Sequence, residues 1–144
     1  MSTYSNYPLF NYINIQIVVN QAISGGKYYF PDIPQLRDAK IQAISFYGGG
    51  LTPIIADYNN VTVMNNADAL RSFVTLYSGN KEAIQNLPIL KLVNVTVGTG
   101  NADGLFTIDN LKVDFSKSYV NFASGYTPTT PLNFSIMFGV YYLN

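Results

Sequence analysis

The chain has 144 residues, 48% hydrophobic and 15% aromatic, with 12 Tyr, 9 Phe and no Trp; that is enough apolar material for one packed domain and too much for a disordered one. Only 11% of residues are charged, eight basic against eight acidic, where ordinary globular chains carry about a quarter; the basic residues form no run, so there is no electrostatic footprint for nucleic acid. The absence of His and Cys excludes Ser-His-Asp and Cys-His nucleophile systems, zinc sites built on these residues, and disulfides.

In chain order, residues 1–10 read as an N-terminal arm and residues 11–144 as a single domain. The arm carries Tyr4 and Tyr7 and lacks the basic start and long apolar run of a signal peptide. From Tyr12 to Asn20, Ile13, Ile15, Ile17 and Val19 alternate with Asn14, Gln16, Val18 and Asn20, the pattern of a strand with one buried face. Shorter strands are expected at Lys27–Phe30, Ala39–Tyr47, Thr52–Asp57, Val61–Met64, Ser72–Tyr77, Ile89–Val97, Leu105–Ile108, Leu111–Phe115 and Ser118–Phe122, most of them rich in β-branched and aromatic residues. Turn chemistry separates them at Ser24-Gly25-Gly26, Gly48-Gly49-Gly50, Asn59-Asn60, Ser78-Gly79-Asn80 and Gly98 to Gly104. Two stretches suit a helical turn: Asn66 to Arg71, capped by Asn66, and Asn80 to Asn86, ended by Pro88. Leu132 to Tyr142 alternates again and completes the domain; the apolar run within it, from Ile136 to Tyr142, is far short of a membrane helix. First and last strands that are both long and core-facing are expected to pair or to share a sheet. The fold class is therefore all-β: an antiparallel β-sandwich, jelly-roll-like, with about eight to ten strands and little helix.

The remaining chemistry is sparse. The acids are seven Asp and the single Glu82. Asp109 and Asp114 are the closest approach to a glycosidase pair, but alternation of Leu111, Val113 and Phe115 turns Asp114 to the solvent face, and surface carboxylates are the commoner explanation. Asn101-Ala102-Asp103-Gly104 lacks the acids and the bidentate Glu of a calcium loop, and Gly48-Gly49-Gly50 is followed by no Lys-Ser/Thr. The reading is of a non-enzyme with no catalytic residue, no cofactor and no metal. Tyr28, Tyr29, Tyr47, Tyr58, Tyr126, Tyr141 and Tyr142 supply rings that could stack on sugars or, more simply, fill core and interface. Tyr4, Tyr7 and Tyr126, the last in a proline-stiffened loop from Ser124 to Pro131, are the expected interface residues.

Two passages add a resemblance. Lys27-Tyr28-Tyr29-Phe30-Pro31-Asp32-Ile33-Pro34-Gln35-Leu36-Arg37 runs into Lys40-Ile41-Gln42-Ala43-Ile44, and Phe73-Val74-Thr75-Leu76-Tyr77 is followed by Leu87-Pro88-Ile89-Leu90-Lys91-Leu92. This succession, over residues 26–93, resembles small β-sandwich structural proteins of bacteriophage virions. The resemblance implies a capsid-associated vertex, spike-base or surface protein. Its expected partners are itself, as a homo-oligomer, and other virion proteins, without nucleic acid or membrane insertion; it would be made in the host cytoplasm and located in the virion. A lectin-like module that binds carbohydrate or a surface is the alternative expectation.

Overall fold

Strands form where side chains alternate between an apolar and a polar face. A computed structural model describes residues 11–47, 62–92 and 106–144. Among these, eight strands form: β1 (Asn11–Val19), β2 (Lys27–Tyr29), β3 (Lys40–Tyr47), β4 (Ser72–Ser78), β5 (Lys81–Pro88), β6 (Phe106–Leu111), β7 (Asp114–Phe122) and β8 (Phe134–Leu143). Among the described residues, helix is confined to α1 (Asn66–Ala69) and the 3-10 turns Pro34–Leu36 and Ile89–Leu92. No helix among the described residues is long and apolar enough to cross a membrane.

The pairing is nested. β1 pairs antiparallel with β8, β2 with β7, β3 with β6 and β4 with β5, each pair lying inside the previous one along the chain. β3 also pairs with β8 and β4 with β7, which produces two four-stranded sheets, β1-β8-β3-β6 and β2-β7-β4-β5. One long antiparallel hairpin wrapped into two facing sheets is a jelly roll. Its first and last strands pair over all nine residues of β1, from Asn11 opposite Tyr142 to Val19 opposite Phe134.

The inner faces meet in one core. Ile15, Ile17 and Val19 of β1 and Phe134, Ile136, Phe138 and Val140 of β8 face Val74 and Leu76 of β4 and Val120 and Phe122 of β7. Phe30 ties the sheets together, its ring centroid 5.0 Å from Phe138 and 5.3 Å from Phe115. Full burial of a ring of this size stabilises by roughly 1.5–3 kcal/mol. β3 carries an irregularity at Gln42: Ile41 lies opposite Tyr142 and Ala43 opposite Tyr141, so one extra residue is accommodated as a bulge. Its side-chain amide donates to Asn110 Oδ1 at 2.6 Å.

Several expectations are corrected. Asn80–Asn86 is not a helical turn; Asn80 belongs to a tight turn closed by Gly79 at φ 64° and residues 81–86 lie in β5, where Ile84 and Glu82 pair with Leu76 and Tyr77. Helix-forming Lys81-Glu82-Ala83 yields to that pairing. The strand expected from Ile89 begins instead as a 3-10 turn, which buries Ile89 and Leu92 completely; residues 93–97 lie outside the described residues, as do Thr52–Asp57. Leu111–Phe115 is divided, with β6 ending at Leu111 and β7 starting at Asp114. Val63 makes only a lone parallel bridge to Ser135. The helix cap is Asn65, not Asn66, its side chain accepting from the Asp68 amide at 2.8 Å. Leu132 lies ahead of the last strand and is half exposed. β8 is buried on both faces from Phe134 to Val140, and both its edges are paired, one with β1 and the other with β3.

Candidate interaction surfaces

The wrapping gives the sandwich two unlike ends. At one, the β1–β2 turn, the segment before β4 and the β7–β8 loop meet; at the other, the β2–β3, β4–β5 and β6–β7 turns do.

The first end is organised around Asp68, which has no accessible surface. Its carboxylate accepts from Tyr126 Oη at 2.6 Å, from the Thr129 amide at 2.9 Å and hydroxyl at 3.0 Å, and from the Thr130 amide at 2.9 Å and hydroxyl. Asn65 joins the network, its amide donating to Thr130 Oγ1 at 3.1 Å. Burial by itself would raise the Asp68 pKa; the hydroxyl donors of Thr130 and Tyr126 and the amides of Thr129 and Thr130 outweigh it and hold the carboxyl below its ordinary value. Tyr126 moves the other way, pushed up by burial and by its bond to the carboxylate. Backbone bonds complete the clamp: Gly25 N donates to Tyr126 O at 2.9 Å, Ala123 N to Arg71 O at 2.8 Å and Asn133 N to Val19 O at 2.8 Å. The β1–β2 turn, the segment before β4 and the β7–β8 loop are thus fixed to one another, not merely adjacent.

The outer face of the β2-β7-β4-β5 sheet carries a row of tyrosines. Tyr29 lies opposite Tyr119, and Tyr119 opposite Thr75, two residues from Tyr77. Ring centroids are 5.5 Å apart for Tyr29–Tyr119 and 6.4 Å for Tyr77–Tyr119, with Lys27 Nζ 4.6 Å over the Tyr119 ring. Such cross-strand aromatic pairs stabilise a sheet by roughly 0.2–1 kcal/mol each. Tyr29 remains 55% exposed, so the row also presents an aromatic face to solvent.

The second end is where charge collects. Asp32, Arg37, Asp38 and Lys40 come from the β2–β3 turn and the start of β3, Lys81 and Glu82 from the start of β5, and Lys112, Asp114 and Lys117 from the β6–β7 turn and the first half of β7. They pair locally: Arg37 bonds Asp32 and lowers its pKa, Lys112 is 3.6 Å from Asp38, and Lys117 is 3.8 Å from Asp114. These turns border a cavity of about 530 Å³ lined by Leu36, Val113 and Phe115 and rimmed by Asp32, Arg37 and Lys112. Among the described residues no cluster of His, Cys, Asp or Glu could hold a metal ion.

Of the interface residues expected from sequence, Tyr4 and Tyr7 lie outside the described residues. Tyr126 is half-buried, its ring stacked on Phe122 with centroids 6.0 Å apart and its hydroxyl turned inward to Asp68. Tyr28 also turns inward, donating to Gln21 O at 2.7 Å. Asp68, Tyr77 and Tyr119 escaped the sequence reading. The period-two pattern of β4 and β7 could have placed the tyrosines on one face; nothing local marks Asp68 as buried. Compared with known proteins, the chain matches no family model, no curated protein and no solved structure.

Proposed function

We propose that the chain is a structural protein of a virus particle, a small capsid-associated component that self-associates and packs against neighbouring subunits. The observation that carries this reading is the nested jelly-roll pairing of all eight strands in a chain with only 11% charged residues. The double-sheet jelly roll recurs in capsid proteins and lectins, and depletion of charge is the compositional mark of interface cores. No function follows from a fold alone, so the reading stands on the combination of fold and surface.

Sedimentation of the purified chain over a dilution series tests it. The expected result is an oligomer that persists when diluted to about 1 µM. A monomer at every concentration overturns the reading. A monomer that binds glycans and loses them in Tyr119→Ala would replace it with a carbohydrate-binding module acting through the Tyr29–Tyr119–Tyr77 row.

A further inference from the structure

We infer that β1 is the strand through which the chain joins a second copy of itself, edge to edge, so that two β1-β8-β3-β6 sheets become one; the inference rests on the assembly reading above. A sheet edge presents a row of backbone donors and acceptors to any other strand, and folded proteins guard such edges with short strands, charges, proline or bulges. Three of the four edges here are guarded in these ways. β2 spans only three residues. β5 carries Lys81, Glu82 and Pro88, and its register against β4 shifts twice. β6 shifts register against β3 and holds Asn110 in a left-handed conformation at φ 49°.

β1 has none of these features. It lies at the edge of its sheet, and among the described residues it pairs with β8 alone. Its nine residues, Asn11–Val19, include no charge, no proline and no glycine. Its register with β8 runs unbroken from Asn11 opposite Tyr142 to Val19 opposite Phe134. Ile13, Ile15, Ile17, Val18 and Val19 are β-branched, the class of residue that a pleated ladder favours. Ile15, Ile17 and Val19 are buried in the core while Asn14, Gln16 and Val18 are exposed, so the orientation of the strand is fixed. The edge away from β8 presents the N–H and C=O of roughly every second residue.

A second copy is the occupant that this strand fits. Antiparallel pairing of β1 with itself about a two-fold axis at Ile15 puts Asn14 of each copy opposite Gln16 of the other. Core-facing positions then meet core-facing ones, which a register slipped by one residue would not allow. No like charges oppose each other along the ladder, because β1 carries none. The contact is also finite. A two-fold pairing occupies the β1 edge of both copies, and the guarded edges at β2, β5 and β6 resist further addition.

The test is sedimentation of Gln16→Lys and Gln16→Glu, separately and as an equal mixture, with Tyr29→Lys as a control on the outer face of the other sheet and circular dichroism to verify each fold. Gln16 is exposed, so neither substitution disturbs the core. Across the two-fold axis the two copies of this position are diagonal neighbours, so each variant alone sets like charges roughly 7 Å apart. The expected result is a dissociation constant raised at least about tenfold in each Gln16 variant. The mixture, where opposite charges meet, recovers association, and Tyr29→Lys assembles like the parent. Folded Gln16 variants that assemble unchanged, weakened variants that their mixture does not rescue, or dissociation by Tyr29→Lys alone overturn the edge pairing and leave the assembly reading standing. A parent chain that is monomeric at every concentration overturns both.

Discussion

Asp68 shows how one side chain can hold an end of the fold. A carboxylate without solvent contact is tolerable only when its lone pairs are occupied, and here two hydroxyl-amide pairs and a phenol occupy them. Removing it in Asp68→Ala leaves those donors unpaired and should cost about 3–5 kcal/mol, read by chemical denaturation. Because the folded pKa is depressed, the unfolded chain binds the proton more readily. This contribution is therefore complete above the unfolded value of about 3.9 and is lost as pH falls through the folded one. The melting temperature of the parent should fall across that acid window more steeply than that of Asp68→Asn. Parallel slopes would show that the carboxylate is not the titrating clamp. None of this was legible locally: Asn65, Asp68, Tyr126, Thr129 and Thr130 are brought together across some sixty positions of chain.

Among elements, the strands with the longest alternation were the ones legible in advance. β1 and β8 could be read as strands and as neighbours because their apolar residues recur at every second position over nine or more residues. The start of β8 was not legible, since Leu132 continues the alternation and the break comes from Asn133, whose φ of 67° turns the chain into the strand. That backbone region suits Gly and Asn and strains β-branched residues. Asn133→Gly should leave stability within about 0.5 kcal/mol, whereas Asn133→Val should cost about 1–2 kcal/mol; equal melting of the two would show that the conformation imposes no strain. β5 was misread for a related reason. Lys81-Glu82-Ala83 favours helix by intrinsic propensity, yet a seven-residue β4 and a tight turn at Gly79 present it with a paired edge.

For the whole molecule, the consequence of the wrapping is that the β2–β3, β4–β5 and β6–β7 connections gather locally paired charges at one end, while the Asp68 network ties the β1–β2 turn, the segment before β4 and the β7–β8 loop together at the other. Self-association that runs through those paired charges should weaken more than about twofold between roughly 0.05 and 0.5 M salt, because exposed ion pairs are screened; sedimentation at the two salt concentrations checks it, and an unchanged dissociation constant would place the contact elsewhere on the surface. By itself, the sequence determined that the fold is all-β, that its terminal strands are long and face a core, and that His and Cys chemistry is absent. These follow from side-chain periodicity and inventory, which are properties of neighbouring positions. Only the tertiary structure decided which strands pair, which end gathers the charge and which carboxylate is buried. Those depend on contacts between distant segments, and a two-residue alternation is satisfied equally well by many pairings.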